Sequence, residues 1–221
     1  MGIISVEQAD RLYWLGRYTE RVYTTLKMFS KSFDLLIDGI ADSYMDFCKS
    51  IDIPNEYADK DDFVSRYPFD ENISDSIISN LNRAYDNAIV LRESIGSECL
   101  AYIQLAIYAM NKASKSKAPL VELQKVNDNL LAFYGIADDQ IDSENIRNII
   151  KAGKRIERID MYARLGVGKK ELAREVHRMI PRVEKSGLEY DYEKLHRIRT
   201  MVDESDTVDY YKMVAEVETI F

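Results

Sequence analysis

The chain has 221 residues, 46% hydrophobic and 31% charged, which is ordinary for a globular protein and enough for one sizeable apolar core. Its net charge of −8 comes with no compact run of Lys and Arg, which argues against nucleic-acid binding. No apolar run approaches the ~20 residues that span a bilayer, and no signal-peptide succession is visible, so a cytoplasmic protein without a membrane partner is expected.

Four prolines and nine glycines are few, and favour long helices over many short strands. Ser5 and Gln8 read as a capping box that opens a long helix. Its apolar stripe is Leu12, Leu15, Thr19, Val22, Leu26, Phe29, Phe33 and Leu36, with an end or kink at Gly39. A shorter helix follows to about Ile51. Residues 54–70 hold two prolines and several aromatics, which suit an ordered loop or a short helix better than disorder.

Ser74 is the expected cap of a helix to about Ile95, with Gly96 at its left-handed end and Ser97 capping the next helix to about Ala113. Pro119 suits the first position of a helix to about Tyr134, which Gly135 closes. Ser143 caps a helix with Ile146, Ile149, Ile150, Ile156 and Ile159 on its apolar face, ending at Gly166. Helices over 169–184 (kinked or broken at Pro181), 190–202 and 207–220 complete the chain. The expected fold is an all-α single bundle of about seven to nine helices with no domain boundary. The last helix carries Val208, Tyr210, Tyr211, Met213, Val214, Val217 and Ile220. It docks on its own bundle or makes a homo-oligomer with a second copy.

One segment occurs twice. Leu15-Gly16-Arg17-Tyr18-Thr19-Glu20-Arg21-Val22 aligns with Ala152-Gly153-Lys154-Arg155-Ile156-Glu157-Arg158-Ile159, a Gly-basic-x-x-Glu-Arg pseudo-repeat inside two long helices. A mid-helix Gly costs about 1 kcal/mol against Ala, so both glycines call for close approach of another backbone. Arg17, Glu20 and Arg21 share a helix face with Trp14 one turn earlier, and Lys154, Glu157 and Arg158 share one in the same way. Charges beside a buried stripe persist only if paired or bound. Two readings stay open: a cross-helix Arg–Glu lattice that fixes register, or two faces lining a cleft for a charged ligand, since arginine matches carboxylate and phosphate.

Other constellations are weaker. Glu193-x-x-His196 lacks the second such motif that a di-iron bundle needs, and His177 stands outside any, so no metal is expected. Gly166-Val-Gly168-Lys169-Lys170 follows no strand and reads as a helix-to-helix turn. No phosphate-binding loop and no nucleophile–histidine setting occurs, and no cofactor is expected. Cys48 and Cys99 read as buried free thiols.

The segment from Arg11 to Arg21 (Arg-Leu-Tyr-Trp-Leu-Gly-Arg-Tyr-Thr-Glu-Arg) resembles the opening signature of the alpha-E family, a bacterial all-helical family with a repeated Glu-Arg motif. Gly153 to Arg158 resembles the second copy, and Asp86-Asn87-Ala-Ile-Val-Leu-Arg92 with Ser97-Glu98 is similar to a third motif. Tyr85 and Ile89 stand where the family has basic residues, and Lys154 where its second copy has Arg. The chain is also shorter than typical members, so it reads as a short, divergent one, a single alpha-E-like domain over 1–221.

The resemblance adds Asp86, Asn87, Arg92 and Glu98 to the ligand-binding candidates Trp14, Arg17, Glu20, Arg21, Lys154, Glu157 and Arg158. It implies a non-catalytic accessory or binding subunit beside an ATP-grasp or transglutaminase-like protein in peptide synthesis or modification. The alternatives are an enzyme acting on an anionic peptide or nucleotide-like substrate with Glu20 or Glu157 as acid–base groups, and a purely structural interaction module.

Overall fold

The computed structural model describes the backbone over residues 4–37 and 43–221 and the side chains over 4–31 and 43–221. The described residues form eleven helices and no strand. The all-α expectation holds, but the helix count exceeds the expected seven to nine. The surplus comes from short pieces. Asp59 caps a helix within 54–70 by accepting from the Asp61 and Asp62 amides, and Leu91 leaves helical geometry within the expected 74–95 helix. The turn expected at Gly39 lies outside the described residues, as do the side chains of Phe33 and Leu36.

The helices are α1 Val6–Ile37, α2 Ser43–Ser50, α3 Lys60–Arg66, α4 Ile77–Val90, α5 Arg92–Ile95, α6 Ser97–Ala113, α7 Pro119–Gln140, α8 Glu144–Arg164, α9 Lys169–Glu184, α10 Tyr192–Asp203 and α11 Tyr210–Glu218. They fall into two compact units: residues 1–20 with 141–221, and residues 21–140.

In the first unit the Ser5 and Ser143 hydroxyls cap α1 and α8, accepting from the Gln8 and Ile146 amides at 3.1 and 3.4 Å. Helix α9 runs through Pro181 to Glu184, so the proline neither ends nor splits it. The core is a continuous apolar set. Ile156 and Ile159 come from α8, Leu172, Val176 and Met179 from α9, Leu195 and Ile198 from α10, and Met213 and Val217 from α11. The apolar stripe of α11 is thus buried in its own unit, while Tyr211 stays 92% exposed.

In the second unit α6 and α7 pack as a hairpin joined by residues 114–118, with α4 against α6. Pro119 is the first residue of α7, as expected. Gly135 does not close that helix. Its backbone is helical, and α7 continues to Gln140 with Ala137 buried on the same stripe as Phe133 and Leu130. Ser76 rather than Ser74 caps α4, because 70–76 are held in turns and the Ser76 hydroxyl accepts from the Ser79 amide. Gly96 has the expected positive φ, 85°, but Ser97 makes no cap; its hydroxyl accepts from Arg92 Nε. Residues around α2 and α3 gather six aromatics (Phe29, Tyr44, Phe47, Tyr57, Phe63 and Tyr67), all buried, with Phe63 stacked on Tyr67 at 5.2 Å.

Candidate functional site

The glycine of each repeat copy sits where α1 crosses α8. A Cβ on Gly16 would collide with the Ile150 carbonyl oxygen and stand 3.0 Å from the Lys154 amide nitrogen. A Cβ on Gly153 would collide with the Tyr13 carbonyl oxygen and stand 3.3 Å from the Arg17 amide nitrogen. In both cases the obstacle is backbone, which cannot swing aside as a side chain can. The helices therefore meet backbone to backbone, and only glycine admits that approach.

Close approach brings the charged faces into mutual reach. Arg17 Nε donates to Glu157 Oε2 at 2.7 Å. Arg158 grips Glu20 with two parallel bonds, Nε to Oε1 at 2.6 Å and Nη2 to Oε2 at 2.9 Å. Each Glu is thus engaged by an arginine of the other helix, and Glu20 and Glu157 are 0% and 1% exposed. Bidentate Arg–carboxylate pairing of this kind fixes orientation as well as charge. Arg17 also lies over the Trp14 ring, 5.0 Å from its centroid, and Trp14 stacks on Tyr18. Its Nη2 stands 3.8 Å from Asp160 Oδ2.

Burial works against the charges on Arg17 and Arg158, but Glu157 and Glu20 beside them more than offset it, and both guanidinium pKa values are raised. Lys154 fares differently. Burial lowers its ammonium to about 7, against the pull of Glu20 and with repulsion from Arg158 and Arg155. Burial, reinforced by the charge of Glu157, pushes the Asp160 carboxyl up to about 6, although Arg164 Nε donates to it at 2.8 Å.

Three groups in this array were not expected from the sequence. Tyr13 supplies the backbone oxygen at Gly153 and a ring 5.8 Å from the Arg17 guanidinium. Asp160, 0% exposed, joins Arg17 to Arg164. Glu175 on α9, 1% exposed, takes Arg155 and Arg158 from α8 and Arg174 and Arg178 from its own helix. The signal for Glu175 was present: it sits on the apolar stripe of Leu172, Val176, Met179 and Val183, where a carboxylate needs buried partners.

The first unit therefore assembles Trp14, Arg17, Glu20, Lys154, Glu157 and Arg158. The other candidates belong to the second unit. Arg21 is half-buried on α1, and its charge opposes the burial that raises the Tyr67 phenol. Asp86 is exposed and Asn87 half-buried on α4. Arg92 and Glu98 are exposed and do not pair with each other: Arg92 bonds Ser97, and Glu98 accepts from Gln140 at 2.5 Å.

Both cysteines are buried free thiols whose pKa values burial raises to about 11. His177 pairs with Asp203 at 2.7 Å on the surface. Among the described residues no three His, Cys, Asp or Glu side chains gather as a metal site, and no helix is long and apolar enough to cross a membrane.

A family model for Alpha-E, described as a predicted alpha-helical domain with a conserved ER motif, matches residues 7–201. The chain belongs to the Alpha-E family. Its two Glu-Arg pairs are Glu20-Arg21 and Glu157-Arg158, and both glutamates of this Alpha-E domain lie in the α1–α8 crossing. No curated protein and no solved structure matches the chain.

Proposed function

We propose that this Alpha-E chain is a non-catalytic helical subunit whose repeated motif is a register lock rather than a reaction centre. The observation that carries the reading is the reciprocal capture of Glu20 by Arg158 and of Glu157 by Arg17, both carboxylates buried. Catalysis by either Glu asks for a carboxylate kept away from neutralising partners. Reciprocity supports an internal pseudo-repeat as well: Gly16 faces the Ile150 carbonyl as Gly153 faces that of Tyr13.

The role is accessory, in the cytoplasm, beside an ATP-grasp or transglutaminase-like protein that makes or modifies peptides, the company the family resemblance implies. Trp14, Arg17, Glu20, Lys154, Glu157 and Arg158 support that role by shaping the unit, and the exposed Asp86, Arg92 and Glu98 are the candidates left to meet a partner.

Affinity capture with the full chain in its native host tests this. An ATP-grasp or transglutaminase-like protein is expected among the retained proteins, with Asp86→Ala and Arg92→Ala reducing its recovery. If neither class is retained, and Arg158→Ala changes only thermal stability, the accessory reading falls and a purely structural module replaces it.

A further inference from the structure

The chain carries a net charge of −8, yet one stretch of α8 and α9 concentrates positive charge around a single buried carboxylate. Arg155 Nη1 donates to Glu175 Oε2, Arg178 Nη1 donates to Oε1 at 3.1 Å, and Arg174 Nε stands 3.6 Å from Oε1. Arg158 Nη1 lies 3.7 Å from Oε2 but spends its bidentate edge on Glu20. Three guanidinium groups thus share one carboxylate, and among the described residues Arg155, Arg174 and Arg178 make no other ion pair or side-chain hydrogen bond.

That arrangement opposes helix formation unless something offsets it. Arg174 and Arg178 are four residues apart on one helix, where like charges repel. A guanidinium has five N–H donors; Arg155 and Arg178 each commit one to Glu175, and Arg174 is held only as an ion pair at 3.6 Å. Arg174 and Arg178 side chains are 56% and 52% exposed, and Arg155 is 22% exposed, so the remaining donors face solvent. Glu175, 1% exposed, holds the three from beneath. A second anion arriving from solvent would meet donors already gathered, and a tetrahedral, doubly charged oxyanion brings more charge and more acceptor oxygens to them than a single carboxylate does.

We propose that the solvent side of the α8–α9 pair binds the phosphate groups of a small phosphorylated molecule through Arg155, Arg174 and Arg178, with Glu175 as the buried anchor that positions them. This site goes beyond the accessory role. It uses none of the residues assigned to partner contact, so the two can fail separately.

The test is isothermal titration of the full chain with inorganic pyrophosphate at fixed ionic strength, and with tetraglutamate as the carboxylate counterpart. Pyrophosphate is expected to bind, and the doubly substituted Arg174→Ala/Arg178→Ala chain to bind it about tenfold more weakly or worse. Both residues are exposed and Arg155 and Arg158 stay on Glu175, so this chain should keep the wild-type circular dichroism at the titration temperature, with at most a lowered melting temperature. Arg199→Ala, an exposed arginine paired with Asp203 on α10, is the control expected to leave binding unchanged. Three results each overturn the proposal: no pyrophosphate binding by the wild type, equal binding by the double variant, or equally tight binding of tetraglutamate.

Discussion

The α1–α8 crossing and the aromatic cluster around Phe63 hold helices together by opposite means. At the crossing, backbones touch at two glycines and the buried Glu of each helix is held by an arginine of the other. In the cluster, Phe63 packs on Tyr67, Tyr57, Phe47, Tyr44 and Phe29 with ring centroids 5.1 to 5.8 Å away and no ion pair. Aromatic packing scales with buried area and tolerates some change of shape. A buried ion pair contributes little net energy over an apolar pair, but it penalises every arrangement that separates the charges. The first means gives specificity of register; the second gives bulk cohesion.

Conservative substitutions should separate the two. Glu157→Gln keeps the shape of the side chain but takes the nearest carboxylate from Arg17, which is only 7% exposed and is left with Asp160 at 3.8 Å. Removing one partner of a buried pair costs about 3 to 5 kcal/mol. Phe63→Leu keeps the apolar character and should cost roughly 1 to 2 kcal/mol. Urea unfolding followed by circular dichroism measures both. Trp14, the single tryptophan, lies over Arg17 and adds a fluorescence signal local to the crossing. Equal losses for the two variants would erase the proposed distinction.

Gly16→Ala comes next. Helix propensity alone favours the alanine by about 1 kcal/mol. The new methyl would meet the Ile150 carbonyl, and forcing a backbone to shift in a packed interior costs about 1 to 3 kcal/mol. A net loss of stability is expected, with a change in Trp14 emission as α1 and α8 move apart. An unchanged or raised melting temperature would mean that the close approach is not what the glycine is for.

Titration should read the same crossing as a slope. The Lys154 pKa falls from its ordinary 10.5 to about 7, so between those values the unfolded chain binds more protons than the folded one. The Lys154 contribution to stability therefore rises with pH across that window, unopposed below the ordinary thiol value of 9, above which the buried Cys48 and Cys99 act in the other direction. The Asp160 pKa rises from 3.8 to about 6, so there the folded chain binds more protons and stability falls as pH rises. Lys154→Met should flatten the alkaline rise and leave the acid fall in place. An alkaline rise that persists in Lys154→Met would have to come from other groups.

The long helices were legible because an apolar stripe at helical spacing needs only local sequence. The caps at Ser5 and Ser143 and the proline opening α7 follow from backbone chemistry within one turn. The glycine notches were legible as a demand for close approach, but not which carbonyl would fill them. Glu175 and Asp160 were missed because their roles depend on partners from other helices, Arg155 twenty positions from Glu175 and Arg17 far from Asp160. Ser74 misled because Ser76 competes for the same cap, and the turns at 70–76 decide between them. The third motif gave residues but no arrangement: Arg92 and Glu98 took Ser97 and Gln140 as partners.

The smallest effect makes the sharpest control. Gly135 also lies inside a helix, α7, and its sequence setting suggested a stop signal. Nothing stands within 4 Å of a Cβ built there, and its φ is not positive. Gly135→Ala should therefore stabilise the chain by about 1 kcal/mol, from helix propensity and a less flexible unfolded state. Gly16→Ala makes the same chemical change in the same helical backbone and should carry the opposite sign. If both substitutions stabilise, glycine at the crossing is merely tolerated. If the signs differ, the crossing requires glycine and α7 does not, and the spacing of Gly16 and Gly153 before each Glu-Arg pair is fixed by the contact between two backbones.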